Sequence, residues 1–305
     1  MPASLVYLNY HQGTYAGEPR TNFMIHAGIA AGPTREAAER SALEELIERD
    51  AMTVWWLRGG PAIGVRLASH PAIPGLLASP RHSGIRYHLT WVPTPFAVPV
   101  VGALLEDRDR GIVTLGTACR PQPLAAVRKA LVEAVQLRAF SMQLLDRASP
   151  VWRAVDAGIH DARCYKAYRA DRAYLDDFRP DFRDAIDFAG HAQLYLDTRA
   201  HVHVERILSP ASTMDLTDLP AEDDNDARAL YLRRLSALGF PATSVDLTTS
   251  DLRAAGLRVA RVTAPGLYAN APAAFPFLGG QRLYRPFKGT SAAPLSERQL
   301  VRAPL

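Results

Sequence analysis

The stretch AGIAAGPTREAAERSALEELIERD, residues 27–50, decides how this chain is read. Gly28 to Gly32 reads as a short glycine and alanine turn, followed by Pro33 and by Thr34 as the N-cap of a helix with Glu36 in its first turn. The helix is expected to run to about Leu57. At about 100° per residue, Leu43, Leu46, Ile47 and Val54 share the core stripe, and Asp50 falls inside it. Glu44, Glu45 and Glu48 occupy a separate arc about 100° wide, where like charges repel by a few tenths of a kcal/mol per pair. Two readings stand side by side. Either a hard divalent cation gathers the carboxylates, or the arc is a solvated acidic face with Arg40 and Arg49 nearby. The turn before the helix is a possible phosphate cradle, because the first helical amides are unpaired. It fits neither the GxGxxG nor the GxxxxGK[ST] pattern.

A second long helix is expected from Leu124 to about Leu145. Val127, Leu131, Val132, Val135, Leu137, Phe140 and Leu144 occupy most directions around it, which predicts a buried helix. Glu133, Gln136 and Arg138 ride on it, and buried charge requires a partner or a ligand. An internal Glu–Arg pair is one solution. A Glu133 carboxylate turned towards the same metal as Glu45 and Glu48 is the other.

Outward from these helices, residues 1–150 and 151–305 form two regions. Residues 151–180 can be helical, and His191 to Asp197 and His201 to Ile207 read as a strand pair. The acidic run Glu222 to Asp226 precedes or opens a helix that stops at Gly239. Ser244 to Leu247, Ser250 to Ala255 and Leu257 to Val262 then read as strand, short helix and strand, before a tail of extended loops rich in proline and glycine. His201 and His203 would share one strand face, with no third zinc ligand in view. Trp55 and Trp56 read as core. No Gly-x-Ser-x-Gly elbow and no CxxC motif is present.

With 305 residues, 48% hydrophobic and 22% charged, the chain can bury a sizeable core, which excludes disorder and fibrous classes. Two cysteines cannot build a secreted disulfide framework, so a reducing cytoplasm is the default compartment. No apolar run reaches the roughly 20 residues of a membrane span. The net charge of +4 is spread without a basic block, which argues against nucleic acid.

The string from Ala27 to Ala37, followed by Ala42-Leu-Glu-Glu-Leu-Ile-Glu-Arg-Asp50, resembles the YcaO family, in which a Gly-x-Ala-x-Gly turn leads into a helix bearing Glu-x-x-Glu-Arg-Asp. Glu133-Ala-Val-Gln136-Leu-Arg138 is similar to the family's later ATP-site helix. Val245-Asp-Leu-Thr248, Asp251, Gly256-Leu-Arg-Val, Ala264-Pro-Gly266 and Leu278-Gly-Gly-Gln-Arg-Leu283 resemble the C-terminal part of the azoline-forming members.

The resemblance implies an α/β (α+β) fold of the YcaO type and ATP and Mg²⁺ as cofactors. Glu45, Glu48 and Glu133 would be Mg²⁺ ligands, Arg49, Gln136 and Arg138 would contact nucleotide phosphates, and Gly28 and Gly32 would line the nucleotide. No catalytic residue is assigned. The implied reaction is cyclodehydration of a ribosomally made precursor peptide. A Cys, Ser or Thr side chain adds to the preceding carbonyl, the amide oxygen is phosphorylated, and loss of phosphate leaves an azoline. Thioamide formation, amidine formation and a non-catalytic subunit that binds peptide or a partner are the alternatives. A leader-peptide-binding protein and a homodimer are the expected partners. Three departures qualify the resemblance. The family's earlier glutamate helix would lie before Met1, so a second chain would supply those glutamates, or the sequence is truncated, or the chain is not a self-sufficient enzyme. Ala27 stands where the family often has Asn, and the close Arg302-Ala-Pro-Leu305 lacks the usual Pro-x-Pro-x-Pro tail.

Overall fold

Thr34 caps the first long helix as its sequence predicts: its Oγ1 accepts the Ala37 amide at 3.1 Å. The computed structural model describes residues 2–20, 22, 24–67, 84–276, 280–285, 303 and 304. Leu278 and Gly279 of the Leu278–Leu283 block, and residues 286–302 of the tail, lie outside the described residues. In chain order the elements begin with β1 (Ile29–Gly32), α1 (Arg35–Arg58), β2 (Ile63–Arg66), β3 (Ile85–Trp91), β4 (Val100–Asp107), β5 (Ile112–Cys119) and α2 (Pro123–Leu145). They continue with α3 (Pro150–Asp156), α4 (Phe188–Leu194), α5 (Glu205–Leu208), β6 (Ser212–Asp215), α6 (Ala227–Ala237), β7 (Thr243–Asp246), α7 (Ser250–Ala254), β8 (Arg258–Thr263) and α8 (Gln281–Tyr284). The α/β class expected from the sequence holds.

Two compact units share the chain, the first comprising Met1–Asp50 with Asp223–Asn270 and the second Ala51–Glu222 with Ala271–Leu305. The first unit carries an antiparallel sheet of order β1-β8-β7, in which Ile29 faces Arg261 and Thr243 faces Thr263. This corrects the turn expected at Gly28 to Gly32. Residues 29–32 are a strand because β8 offers them a ladder, and the Val262 amide donates to the Gly28 carbonyl at 2.7 Å just before it. The strand, helix, strand reading of β7, α7 and β8 is borne out. Along the portion of α1 that belongs to this unit, Leu43, Ile47 and Asp50 are buried, as the stripe required.

The second unit carries a five-stranded sheet of order β5-β4-β3-β2-β6, antiparallel except for the parallel pair β2 and β6. Helix α2 lies against it, with Val127, Ala130 and Leu131 in one core with Val101, Ala103 and Ala118. The approach is close: a Cβ built on Gly116 of β5 would stand 2.1 Å from the Ala130 carbonyl oxygen. Only this face of α2 is buried. Val132, Val135 and Leu137 are exposed, against the expectation of a helix buried all round.

The segment 191–207, expected as two strands, is helical: α4 is followed by a 3-10 segment at Thr198–Val204 and by α5. The reason is local capping. Asp187 Oδ1 accepts the Ala189 amide at 2.9 Å and Asp197 Oδ1 accepts the Arg199 amide at 3.0 Å, and these caps override the β-favouring side chains. Residues 151–180 are helical only in α3 and in short 3-10 turns at Ala162–Cys164 and Tyr174–Asp177. Trp152, Tyr174, Phe178 and Leu194 pack there into a second core. Trp55 and Trp56 are buried, with the Arg206 guanidinium 3.8 Å and 5.1 Å from their ring centroids. Among the described residues no helix is long and apolar enough to cross a membrane.

Candidate functional site

In the first unit Glu44 and Glu48 of the acidic arc of α1 are buried and Glu45 is partly exposed, and each is individually paired, so the arc is not a solvated face. Glu44 is 2% exposed, accepts from Arg40 Nε at 3.0 Å and receives the Tyr231 hydroxyl at 3.4 Å. Glu48 is 1% exposed, with its Oε1 2.9 Å from Arg49 Nη1. Arg40 also grips Asp224, Nη2 to Oδ1, at 2.5 Å. That bond and the one to Glu44 outweigh burial and hold the Arg40 guanidinium above its usual range.

Glu45 is the most open of the three, and its Oε2 accepts the Gly28 amide at 2.9 Å while Oε1 stands 3.9 Å from Arg49 Nε. Gly28 is required there: its φ is +90°, and a Cβ would meet the Val262 carbonyl oxygen at 2.3 Å. Gly32, at the end of β1, lies against the first turn of α1. Asp50 accepts the Tyr268 amide at 2.8 Å, which satisfies the carboxylate in the core stripe.

In the second unit Glu133 pairs with Lys129 and also lies 3.4 Å from the Thr117 amide. Arg138 is held by Asp107, with Nε to Oδ2 at 2.7 Å. The Glu–Arg pair within α2 is therefore not formed. Gln136 is exposed on the same helix. His201 Nε2 lies 3.1 Å from the Tyr195 carbonyl oxygen and the His203 ring meets Phe182 edge-on, so the two do not share a strand face.

Sequence reasoning missed three buried charges. Glu39 accepts from Arg35, Arg228 and Ser244, Asp107 anchors Arg138, and Arg261 donates to the Ala27 carbonyl. Arg35, one turn before Glu39, was a visible signal, whereas the other partners come from distant segments.

The donor set suits Mg²⁺, which takes hard carboxylate oxygens and retains waters and phosphates, so that one or two carboxylates suffice. Among the described residues no group of three or more His, Cys, Asp or Glu gathers as a metal site. The family model described as YcaO cyclodehydratase, ATP- and Mg²⁺-binding, matches residues 1–268. This chain belongs to the YcaO family. ATP and Mg²⁺ are thus the cofactors of its family, and every site residue named above from Gly28 to Arg138 lies inside the match.

Solved structures that share its fold include the following two. A heterocyclase in complex with substrate and cofactor superposes with a TM-score of 0.71 at 20% identity, covering 99% of this chain and 35% of that one. The YcaO protein from Methanopyrus kandleri bound with AMPPCP and Mg²⁺ gives a TM-score of 0.54 at 20% identity, covering 81% of this chain and 56% of that one. An uncharacterized protein of Methanothermobacter thermautotrophicus is 34% identical over 117 residues, which are 37% of this chain and 30% of that protein. The chain therefore spans about a third of the length of the heterocyclase that it matches.

Proposed function

We propose that this chain takes part in ATP-dependent cyclodehydration of a ribosomally made precursor peptide, in which Cys, Ser or Thr side chains close onto the preceding backbone carbonyl to form azolines. ATP with Mg²⁺ supplies the phosphoryl group that turns the amide oxygen into a leaving group. Glu45 and Glu48 in the first unit, and Glu133 in the second, are the proposed Mg²⁺ ligands. Arg49, Gln136 and Arg138 contact the phosphates, and the backbone at Gly28 and Gly32 leaves room for the nucleotide. A leader-binding protein presents the peptide. The observation that carries this reading is the family match over residues 1–268 together with two carboxylates, Glu45 and Glu48, one helical turn apart on α1. The hydrogen bond from the Gly28 amide to Glu45 supports it, since liganding carboxylates are oriented by such contacts.

The test is calorimetric titration of ATP with Mg²⁺ into the full chain, alone and with the product of the adjacent gene, followed by mass analysis of the precursor peptide. Binding and a mass loss of one water per modified residue are expected. A gain of sulfur would make it a thioamide enzyme, a ring closed by an internal amine would make it an amidine former, and no binding under either condition would leave a non-catalytic subunit.

A further inference from the structure

The peptide group that joins Ala27 to Gly28 is held at both ends. Its carbonyl oxygen accepts Arg261 Nη1 at 2.8 Å, and its N–H donates to Glu45 Oε2 at 2.9 Å. A trans peptide directs its C=O and N–H to opposite sides, so Arg261 and Glu45 flank the same dipole. Arg261 is 1% exposed on the central strand β8, opposite Ile29 of β1 and Val245 of β7, and its Nε is buried without a hydrogen-bond partner among the described residues. Its other acceptor is the His26 carbonyl oxygen, at 3.4 Å. Burial lowers the affinity of this guanidinium for its proton, and the charge of Glu45 acts the other way. A clasp for backbone carbonyls needs only a neutral donor, and a buried cation is costly in that role.

We propose that Arg261 is a positioning residue for Glu45. Its charge polarises the Ala27–Gly28 peptide, strengthens the Gly28 amide as a donor, and so fixes the Glu45 carboxylate in the orientation that takes Mg²⁺. The inference rests on the reading of Glu45 as a metal ligand.

Mg²⁺ is titrated into the full chain at constant AMPPCP, for the wild type and for Glu45→Gln, Arg261→Gln and Arg261→Lys, with thermal unfolding of each recorded alongside. Glu45→Gln and Arg261→Gln are expected to raise the Mg²⁺ midpoint about tenfold, and Arg261→Lys is expected to restore the midpoint. An unmoved midpoint in Glu45→Gln overturns the ligand reading itself. A shift in Glu45→Gln without one in a folded Arg261→Gln overturns the positioning role alone. Should Arg261→Gln fail to fold, Arg261→Lys decides: a wild-type midpoint upholds the role of the charge, and a tenfold loss in the folded variant sinks it.

Discussion

Arg138 of α2 is held by Asp107 at the end of β4, with Nε 2.7 Å and Nη2 2.5 Å from the same carboxylate oxygen, and that carboxylate is wholly buried. Asp107 Oδ1 accepts the Arg110 amide at 3.1 Å as well, so both of its oxygens are engaged. The arrangement fixes a cation on the partly exposed side of α2 without leaving an uncompensated charge beneath it. Asp107→Ala is expected to cost about 3 kcal/mol in urea unfolding, because one partner of a buried pair is removed. The double variant with Arg138→Met is expected to cost less than the sum of the two single changes, which a double-mutant cycle measures.

Glu48→Gln is expected to abolish Mg²⁺-dependent nucleotide binding while unfolding within about 1 kcal/mol of the wild type, since the amide keeps an oxygen acceptor facing Arg49. Calorimetry with and without Mg²⁺, together with denaturant unfolding, separates the two effects. A variant that unfolds would make the carboxylate structural and withdraw it from the metal site.

Gly28→Ala places a methyl group 2.3 Å from the Val262 carbonyl oxygen in a backbone with φ of +90°. A loss of about 3 kcal/mol is expected from strain and displacement together. Binding of Mg²⁺ with AMPPCP is expected to weaken as well, because the Gly28 amide that orients Glu45 moves with the strand.

Glu39 carries a pH dependence whose sign can be worked out. Burial pushes its carboxyl up, but hydrogen bonds from Ser244, Arg35 and Arg228 outweigh burial and hold it below the ordinary value. A carboxylate that is more acidic in the folded state stabilises the protein above the unfolded-state value of about 4.3, and loses that contribution as pH falls through the lower folded value. The stability difference between the wild type and Glu39→Gln is therefore expected to be constant near neutrality and to shrink below about pH 4. Urea unfolding of both proteins from pH 7 to pH 3 reads it. A difference that grows towards acid would refute the assignment.

The sequence by itself determined what is set by neighbours within one or two turns of chain. The Thr34 cap, the length of α1, the apolar stripe from Leu43 to Ile47, the extent of α2, and the β7, α7, β8 succession all follow from hydrogen bonds and side-chain periodicity over a few residues. The caps at Asp187 and Asp197 are equally local, and they outweigh the intervening β-favouring side chains, so helices stand where those side chains alone favour strands. The tertiary structure alone decided the rest. Residues 29–32 are a strand only because β8 returns beside them, and α2 is buried on one face because Gly116 of β5 admits it there. The Arg228 guanidinium on Glu39, the Tyr231 hydroxyl on Glu44, the carboxylate under Arg138 and the guanidinium behind Gly28 come from segments far apart in sequence. A buried charge demands a partner whatever the fold. The sequence therefore shows that one is needed, and only the path of the chain says which.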